Sequence, residues 1–120
     1  MRSSSGERKI YDILSSSGLC FKEEYSFADL ISSSGRPLRF DFAVFTLDGK
    51  RLAFLIEFQG EQHYKPIKIF GGKQGFSKQR YNDAQKRAYC RKHKIRLVAI
   101  PYYDEDKITL QYILSKAGYC

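Results

Sequence analysis

The sequence predicts one mixed α/β domain, in which a single β-sheet is flanked by helices in the order α-β-β-β-α-β-α. Two segments rich in aromatic and branched residues, 38–45 (LRFDFAVF) and 51–59 (RLAFLIEFQ), are separated by Asp48-Gly49, which predicts an antiparallel hairpin. A third apolar segment, 95–101 (IRLVAIP), follows a long helical pattern and is typical of a buried strand. Because 120 residues fit one domain, we expect residues 1–120 to fold as a unit.

The first half of the chain supplies a helix and a strand before the hairpin, and a loop after it. Apolar spacing predicts a short helix from Glu7 to Leu14 and then a loosely alternating strand at 24–31. Residues 60–76 contain Pro66 and several glycines, and they predict a long loop. Long loops in small domains usually carry function, so this segment is a candidate binding region.

Two further helices are predicted around the last strand. The first should run from about Ser77, as its N-cap, to His93. The second should begin at Asp104, as its N-cap, and end near Ala117, with Gly118 behind it. We expect the core face of this last helix to include Ile108, Tyr112 and Ile113.

The charge of the chain points to an anionic partner. Lysine and arginine total 21 against 13 aspartate and glutamate, which gives a net charge of +8. This excess favours nucleic acid first and an anionic membrane surface second, with solubility alone as the remaining interpretation. No apolar run approaches the roughly 20 residues that span a bilayer, and the N-terminus has no secretory signal. We therefore expect a cytoplasmic protein that does not enter a membrane.

The three cysteines, Cys20, Cys90 and Cys120, lie far apart and form no CxxC pair. That spacing favours free thiols over a zinc site. We expect Cys20 and Cys90 to pack in the core.

Two carboxylates interrupt the most hydrophobic parts of the predicted hairpin. Asp41 lies between Phe40 and Phe42, and Glu57 lies between Ile56 and Phe58. Acidic residues are depleted in strands, and a buried one costs several kcal/mol unless a cation or hydrogen-bond donors satisfy it. A divalent metal would satisfy both carboxylates at once. The alternative is a buried salt bridge, in which Arg39 or Lys86 pairs with one of them.

A shared metal requires both carboxylates on one face of the sheet, and the hairpin register decides this. Residues opposite each other in a hairpin have a constant sum of residue numbers. A two-residue turn gives 97 and separates Asp41 from Glu57, whereas a three-residue loop with a left-handed Gly49 gives 96 and makes them diagonal neighbours. The metal hypothesis needs an even sum. Gln59 would then share the face of Glu57, and such oxygen ligands suit Mg²⁺ or Mn²⁺.

Asp41 on one strand and Glu57-x-Gln59 on the next resemble the signature of the PD-(D/E)XK nucleases. The predicted element order is similar to the core of that superfamily over nearly the whole chain. The segment EFQGEQHY at 57–64, and Arg80, Asp83 and Lys86 followed by KIRLVAIPY, resemble the very-short-patch-repair branch and related phage homing endonucleases. Two features depart from the pattern: no proline precedes Asp41, and Gln59 replaces the usual lysine.

The resemblance implies a restriction-endonuclease-like fold and a Mg²⁺- or Mn²⁺-dependent deoxyribonuclease that hydrolyses phosphodiester bonds, in a phage- or bacterium-like intracellular setting. It also implies that Glu7 contacts the metal or its water. His63 would be a general acid/base or a phosphate contact, or else an exposed loop histidine. Lys86 would point at the site and replace the charge that Gln59 lacks, or else lie on the surface. We expect Asp83 to form an ordinary exposed ion pair. The catalytic set predicted in this way is Asp41, Glu57, Gln59, His63 and Lys86, and the metal ligands are Asp41, Glu57 and Glu7.

A basic segment follows the acidic strand and is the predicted DNA-binding surface. Its cations are interleaved with aromatic residues, and they are Lys65, Lys68, Lys73, Lys78 and Arg80. A solvated charged loop is the alternative. Because no helix-turn-helix or zinc finger is visible, specificity for duplex or structured DNA would need a homodimer, a separate recognition domain, or recognition of a DNA structure such as a mismatch, branch or end. A catalytically decayed nuclease fold that only binds DNA is the competing function, and Gln59 is the feature that favours it.

Overall fold

The computed structural model describes residues 4–119 and contains the predicted order of helices and strands. The helices and strands are α1 (Ser5–Ser17), β1 (Cys20–Ile31), β2 (Pro37–Phe45), β3 (Leu52–Gln59), α2 (Gly72–Lys92), β4 (Arg96–Pro101) and α3 (Leu110–Lys116). Short 3₁₀ turns occupy Glu61–His63, Lys68–Phe70 and Tyr102–Lys107. Within residues 4–119, no helix is both long and apolar enough to cross a membrane.

The four strands form one mixed sheet in the order β1-β2-β3-β4. The first three strands are antiparallel neighbours, and β4 runs parallel to β3. A parallel neighbour requires a crossover, and α2 supplies it. Ile10 of α1 and Ile113 of α3 share one core with Ile56, whereas Cys90 of α2 packs with Leu55 in a second core. The sheet therefore lies between α1 and α3 on one face and α2 on the other.

The first helix is longer than the predicted 7–14 because local signals fix both of its ends. The Ser4 hydroxyl accepts a hydrogen bond from the Glu7 main-chain N–H, and the Glu7 side chain accepts one from the main-chain N–H of Ser4. This capping box satisfies two of the unpaired donors at the helix start. Gly18 ends the helix in the left-handed conformation, with φ of 81°.

The second helix begins five residues earlier than predicted, at Gly72, so Ser77 lies inside the helix and is not its N-cap. The predicted loop at 60–76 is therefore partly helical, and it also contains two of the 3₁₀ turns. Glycine disfavours helices, which is why the pattern indicated a loop. At Gly75, however, an added Cβ would come 1.9 Å from the Phe70 carbonyl oxygen, so only glycine permits this close approach.

The last helix also starts later than predicted, at Leu110, with Thr109 as the N-cap. Asp104 does not cap it but accepts a hydrogen bond from the Tyr112 hydroxyl at 2.7 Å. Ile113 is buried on the helix and Tyr112 is half-buried, whereas Ile108 is buried just before the helix begins. The core residues were thus predicted correctly, although the helix boundary was wrong.

The cysteine prediction is confirmed for Cys90, which is a buried free thiol, and wrong for Cys20, which is an exposed one. Cys20 begins an edge strand next to Gly49 of the hairpin loop, so it lies outside both cores. Cys120 lies outside the described residues.

The β2–β3 register has the even sum that a shared site requires. Phe42 pairs with Ile56, so paired residue numbers add to 98 in this part of the hairpin. Extended by one residue beyond that pair, the same sum places Asp41 across from Glu57, and not diagonal to it as the predicted sum of 96 would give. Next to the turn Phe45 pairs with Leu52, and a bulge then shifts the register by one. Gly49 is left-handed as expected, with φ of 73°.

The two central strands separate where the carboxylates lie. The β2–β3 ladder ends at Phe42 and Ile56, while β2 continues beside β1. The next pair would be Asp41 with Glu57, but no main-chain pairing forms there, and the main-chain N–H of Phe58 donates instead to Asp41 Oδ2, at 2.7 Å. Phe42 packs in the core below α1, whereas Phe40 packs on the α2 face. This change of face opens a gap between β2 and β3.

Candidate active site

A cavity of about 550 Å³ occupies the gap between β2 and β3, with α1 on one side and α2 on the other. The cavity brings together five of the residues singled out from the sequence, which are Glu7, Asp41, Glu57, His63 and Lys86. Polar side chains therefore converge where the sheet opens.

Asp41 lies half-buried at this opening, with its carboxylate held by the Phe58 main-chain N–H. Burial raises the pKa of Asp41 to about 8, and the negative charges of Glu57 and Glu7 add to this effect. A carboxylate whose ionisation is opposed by its neighbours is an environment that a bound cation would relieve.

Glu57 is buried and has its own cation. Lys86 Nζ donates to Glu57 Oε2 at 2.8 Å, and both side chains are more than nine-tenths buried. Burial raises the pKa of Glu57, while the Lys86 charge acts in the opposite direction. The predicted salt-bridge alternative is therefore confirmed for Glu57 with Lys86. Arg39 instead pairs with Glu24 at 2.7 Å, on the surface.

His63 is held at the cavity wall by a residue whose role the sequence did not reveal. His63 Nδ1 and Asp83 Oδ2 are 2.8 Å apart, and Gln79 Nε2 donates to Asp83 Oδ1 at 3.1 Å. Asp83 is buried, so the predicted exposed ion pair is wrong. Although burial opposes it, the bond from His63 holds the pKa of Asp83 below its usual value. The spacing of Gln79, Asp83, Lys86 and Cys90 places them on one helix face. This shared face is the sequence signal from which a buried Asp83 could have been predicted.

Glu7 reaches the cavity from the first turn of α1, where one of its oxygens also caps the helix. The approach of α1 depends on Gly6, since a Cβ there would lie 2.3 Å from the Phe58 ring. This contact fixes the helix beside the strand that carries Glu57.

Gln59 does not join the other predicted site residues at the cavity wall. Its side-chain oxygen accepts a hydrogen bond from the Tyr64 hydroxyl at 2.8 Å, and it does not line the cavity. Tyr64 in turn contacts the rings of Tyr102 and Tyr103. The Gln59 amide is thus oriented toward this tyrosine cluster.

The predicted DNA-binding cations are exposed, but they lie on turns and on α2 and not in one long loop. Lys65 pairs with Glu61 at 2.7 Å, and the Arg80 guanidinium lies 5.6 Å from the centre of the Phe76 ring. Lys73 and Lys78 line a shallow depression at the start of α2. Lys73, Lys78 and Arg80 are thus exposed near the N-terminal end of α2.

The donor set of the cavity fits a hard divalent cation with an open coordination shell. In the part of the chain that the structure describes, no group of three or more His, Cys, Asp or Glu side chains is arranged to enclose an ion. Mg²⁺, however, is usually held by one or two carboxylates, and it keeps waters or substrate phosphates in its other positions. Asp41 and Glu57 meet that requirement, and the mutual repulsion recorded in the pKa of Asp41 is consistent with it.

Two viral proteins are similar to part of this chain. One is the uncharacterized protein 094L of Frog virus 3 (isolate Goorha), which is 40% identical over 75 residues, covering 61% of this chain and 45% of the relative. The other is the uncharacterized protein 307L of Invertebrate iridescent virus 6, which is 37% identical over 71 residues, covering 58% of this chain and 36% of the relative. The aligned part thus spans less than half the length of either relative. No protein-family model and no solved structure match the chain significantly.

Proposed function

We propose that this protein is a DNA endonuclease that hydrolyses phosphodiester bonds with Mg²⁺ or Mn²⁺, on a restriction-endonuclease-like core. The observation that carries the proposal is the position of Asp41 opposite Glu57, in a cavity at the point where β2 leaves β3. A structural role alone would not require two acidic side chains to face each other in an apolar sheet.

Asp41 and Glu57 would hold the ion, with Glu7 on the facing wall of the cavity. When bound, such an ion activates a water molecule and polarises the phosphoryl group. Lys86 keeps a positive charge beside Glu57, where Gln59 supplies none, and this charge offsets the negative charge that develops on the phosphate.

His63 is suited to proton transfer at the same cavity. Because Nδ1 is engaged by Asp83, the other ring nitrogen, Nε2, remains available for a proton donated to the leaving oxygen or for a bond to the phosphate. Asp83 would hold the ring in position, as a carboxylate does for many catalytic histidines.

A second candidate function is DNA binding without cleavage. Two observations favour it: Lys86 already pairs with one of the two carboxylates, and the Gln59 amide is bonded to Tyr64. In that case Lys86 would act as a permanent internal cation in place of a metal.

A plasmid-nicking assay combined with a binding assay separates the two candidates. The endonuclease proposal expects supercoiled DNA to be cut with Mg²⁺ or Mn²⁺ and left intact with EDTA. Binding of the same DNA without cutting in either metal would favour the binding protein. If the wild-type protein neither binds nor cuts duplex, branched or single-stranded DNA, both candidates fail.

A further inference from the structure

A second groove, of about 420 Å³, lies between the C-terminal end of α2 and the β4 edge of the sheet. Its floor is apolar and includes Leu97 and Ala99 of β4. Its rim carries four exposed cations, which are Arg87, Arg91, Lys94 and Arg96. The sequence alone gave no reason to regard these cations as more than general surface charge, but the fold gathers them around one concavity.

The groove lies in a stretch of the chain that has no acidic residue. Residues 84–103 contain six lysines and arginines and no aspartate or glutamate. None of the ion pairs formed among residues 4–119 includes any of the four rim cations. Their charge is therefore not neutralised within the described part of the fold, and it is available to an anionic partner.

Lys94, one of the rim cations, has an unfavourable backbone conformation. Lys94 has a φ of 58°, in the left-handed region where glycine or asparagine is usual. It follows the C-cap His93, and the bonds from the Lys94 N–H to the Arg91 carbonyl and from the Ile95 N–H to the Cys90 carbonyl close the helix. A lysine at this position costs about 1 kcal/mol relative to glycine, and it adds a charge to the rim.

We propose that the α2–β4 groove binds the sugar-phosphate backbone of duplex DNA, in addition to the cations at the N-terminal end of α2. This inference rests on the proposed function for the choice of DNA as the anion. Arg87 follows Lys86 on α2, so along the helix the groove begins where the candidate active site ends, and it extends away from Lys73 and Lys78, although the two cavities share no lining residue. A helix of 21 residues is about 30 Å long, which is roughly the rise of nine base pairs. A duplex along α2 would therefore contact cations on both sides of the cavity.

The shape of the groove favours a nucleic acid over an anionic membrane. Membrane-surface binding by a basic patch is strengthened by large apolar side chains that insert between lipids. The exposed large hydrophobic residues of the described chain, such as Leu47, Ile69 and Tyr103, all lie outside the groove. A concave cationic rim over a shallow apolar floor instead matches a phosphate backbone with its sugars.

The test is the salt dependence of binding to a short DNA duplex, measured by fluorescence anisotropy in EDTA so that no cleavage occurs. The variant is Arg87→Ala with Arg91→Ala, and the matched control is Lys50→Ala with Arg51→Ala, which removes the same charge from the hairpin loop. If both arginines contact phosphates, the slope of log K against log salt should flatten by roughly 1.8. At 0.1 M salt that corresponds to binding about 60-fold weaker. The control should retain the wild-type slope.

Several outcomes would overturn the inference. One is a wild-type slope in the Arg87/Arg91 variant, with a flattened slope only in Lys73→Ala with Lys78→Ala. Another is unchanged DNA binding with loss of binding to phosphatidylserine-containing vesicles, which would assign the groove to a membrane. Because binding is measured without metal, a wild type that binds through the groove but never cuts refutes the nuclease and leaves the groove standing. If instead the wild type cuts DNA and the Arg87/Arg91 variant binds DNA normally, the nuclease proposal stands and the groove proposal fails. Thermal melts establish that each variant is folded.

Discussion

Asp41 and Glu57 are opposite each other but have different surroundings. Glu57 bonds to a buried lysine, whereas Asp41 accepts a main-chain N–H and faces two other carboxylates. Burial raises the pKa of both carboxyl groups, and the Lys86 charge opposes this rise only at Glu57. Without metal, Asp41, whose pKa is about 8, retains its proton near neutral pH. Because Lys86 depends on Glu57 for its counter-charge, neutralising Glu57 should cost more stability than neutralising Asp41.

We predict that Glu57→Gln lowers the metal-free unfolding free energy much more than Asp41→Asn does. The glutamine leaves Lys86 buried without its counter-charge, a loss of about 3–5 kcal/mol. The asparagine, like the protonated Asp41, carries no charge and keeps an oxygen for the Phe58 N–H, so its effect should stay within about 1 kcal/mol. Urea unfolding in EDTA measures the free-energy change of each variant, and Asp12→Asn, at an exposed position, is the control. Equal losses in the two site variants would contradict the assignment of the buried charge pair.

The raised pKa of Asp41 predicts a specific pH dependence of stability. In the folded protein its pKa is about 8 instead of 3.8, so the folded state keeps a proton that the unfolded chain releases between these values. The unfolding free energy should therefore be greatest at the acidic end of that window and fall as the pH rises through it, by up to roughly 1.4 kcal/mol per pH unit. Thermal melts in EDTA across this pH range should show a weaker dependence of stability on pH for Asp41→Asn than for the wild type. Superimposable profiles for the two proteins would refute the prediction.

At the scale of elements, strong local patterns were predictable and packing details were not. Aromatic and branched residues identified β2 and β3, and their interruption by Asp41 and Glu57 indicated a candidate site, whose two carboxylates line one cavity. The bulge beside Phe45, however, has no local signature, so the register sum was predicted as 96 and is 98. The start of α2 at Gly72 was missed because the close approach of Gly75 to Phe70 is a tertiary contact. The hydrogen bond of Gln59 to Tyr64 depends on a turn that alternation along a strand cannot describe.

The contact between α1 and β3 gives a prediction at this scale. A methyl group at Gly6 would overlap the buried ring of Phe58, so α1 or the ring must shift. Gly6→Ala should lower the unfolding free energy by about 1–3 kcal/mol, although alanine at an exposed helical position would raise it. It should also weaken cleavage, since the shift moves Glu7 and the neighbour of Glu57. Ser16→Ala, at an exposed position of the same helix, is the control for urea unfolding. A stabilised Gly6→Ala protein would show that α1 can move away without cost.

At the scale of the whole molecule, a chain with a net charge of +8 contains a cavity lined by several carboxylates. Cations lie at both ends of α2, and Glu57 contacts the helix between them through Lys86. Under the proposed function, the surface cations would attract a phosphate backbone, and a metal ion between the carboxylates would offset their repulsion of the phosphate. The aligned part of the chain spans less than half the length of either viral relative.

The central claim is that Asp41 and Glu57 form a metal-dependent site for cutting DNA, and single-turnover cleavage of plasmid DNA by three proteins tests it most directly. Wild type and Asp12→Asn should cut at the same rate with Mn²⁺ or Mg²⁺ and stop with EDTA, while Asp41→Asn should cut at least a hundredfold more slowly. That loss corresponds to about 2.7 kcal/mol of transition-state stabilisation. Asp41→Asn should still bind the DNA, because its surface cations are unchanged. Cleavage by Asp41→Asn at the wild-type rate, or wild-type cleavage that persists in EDTA, would contradict the claim.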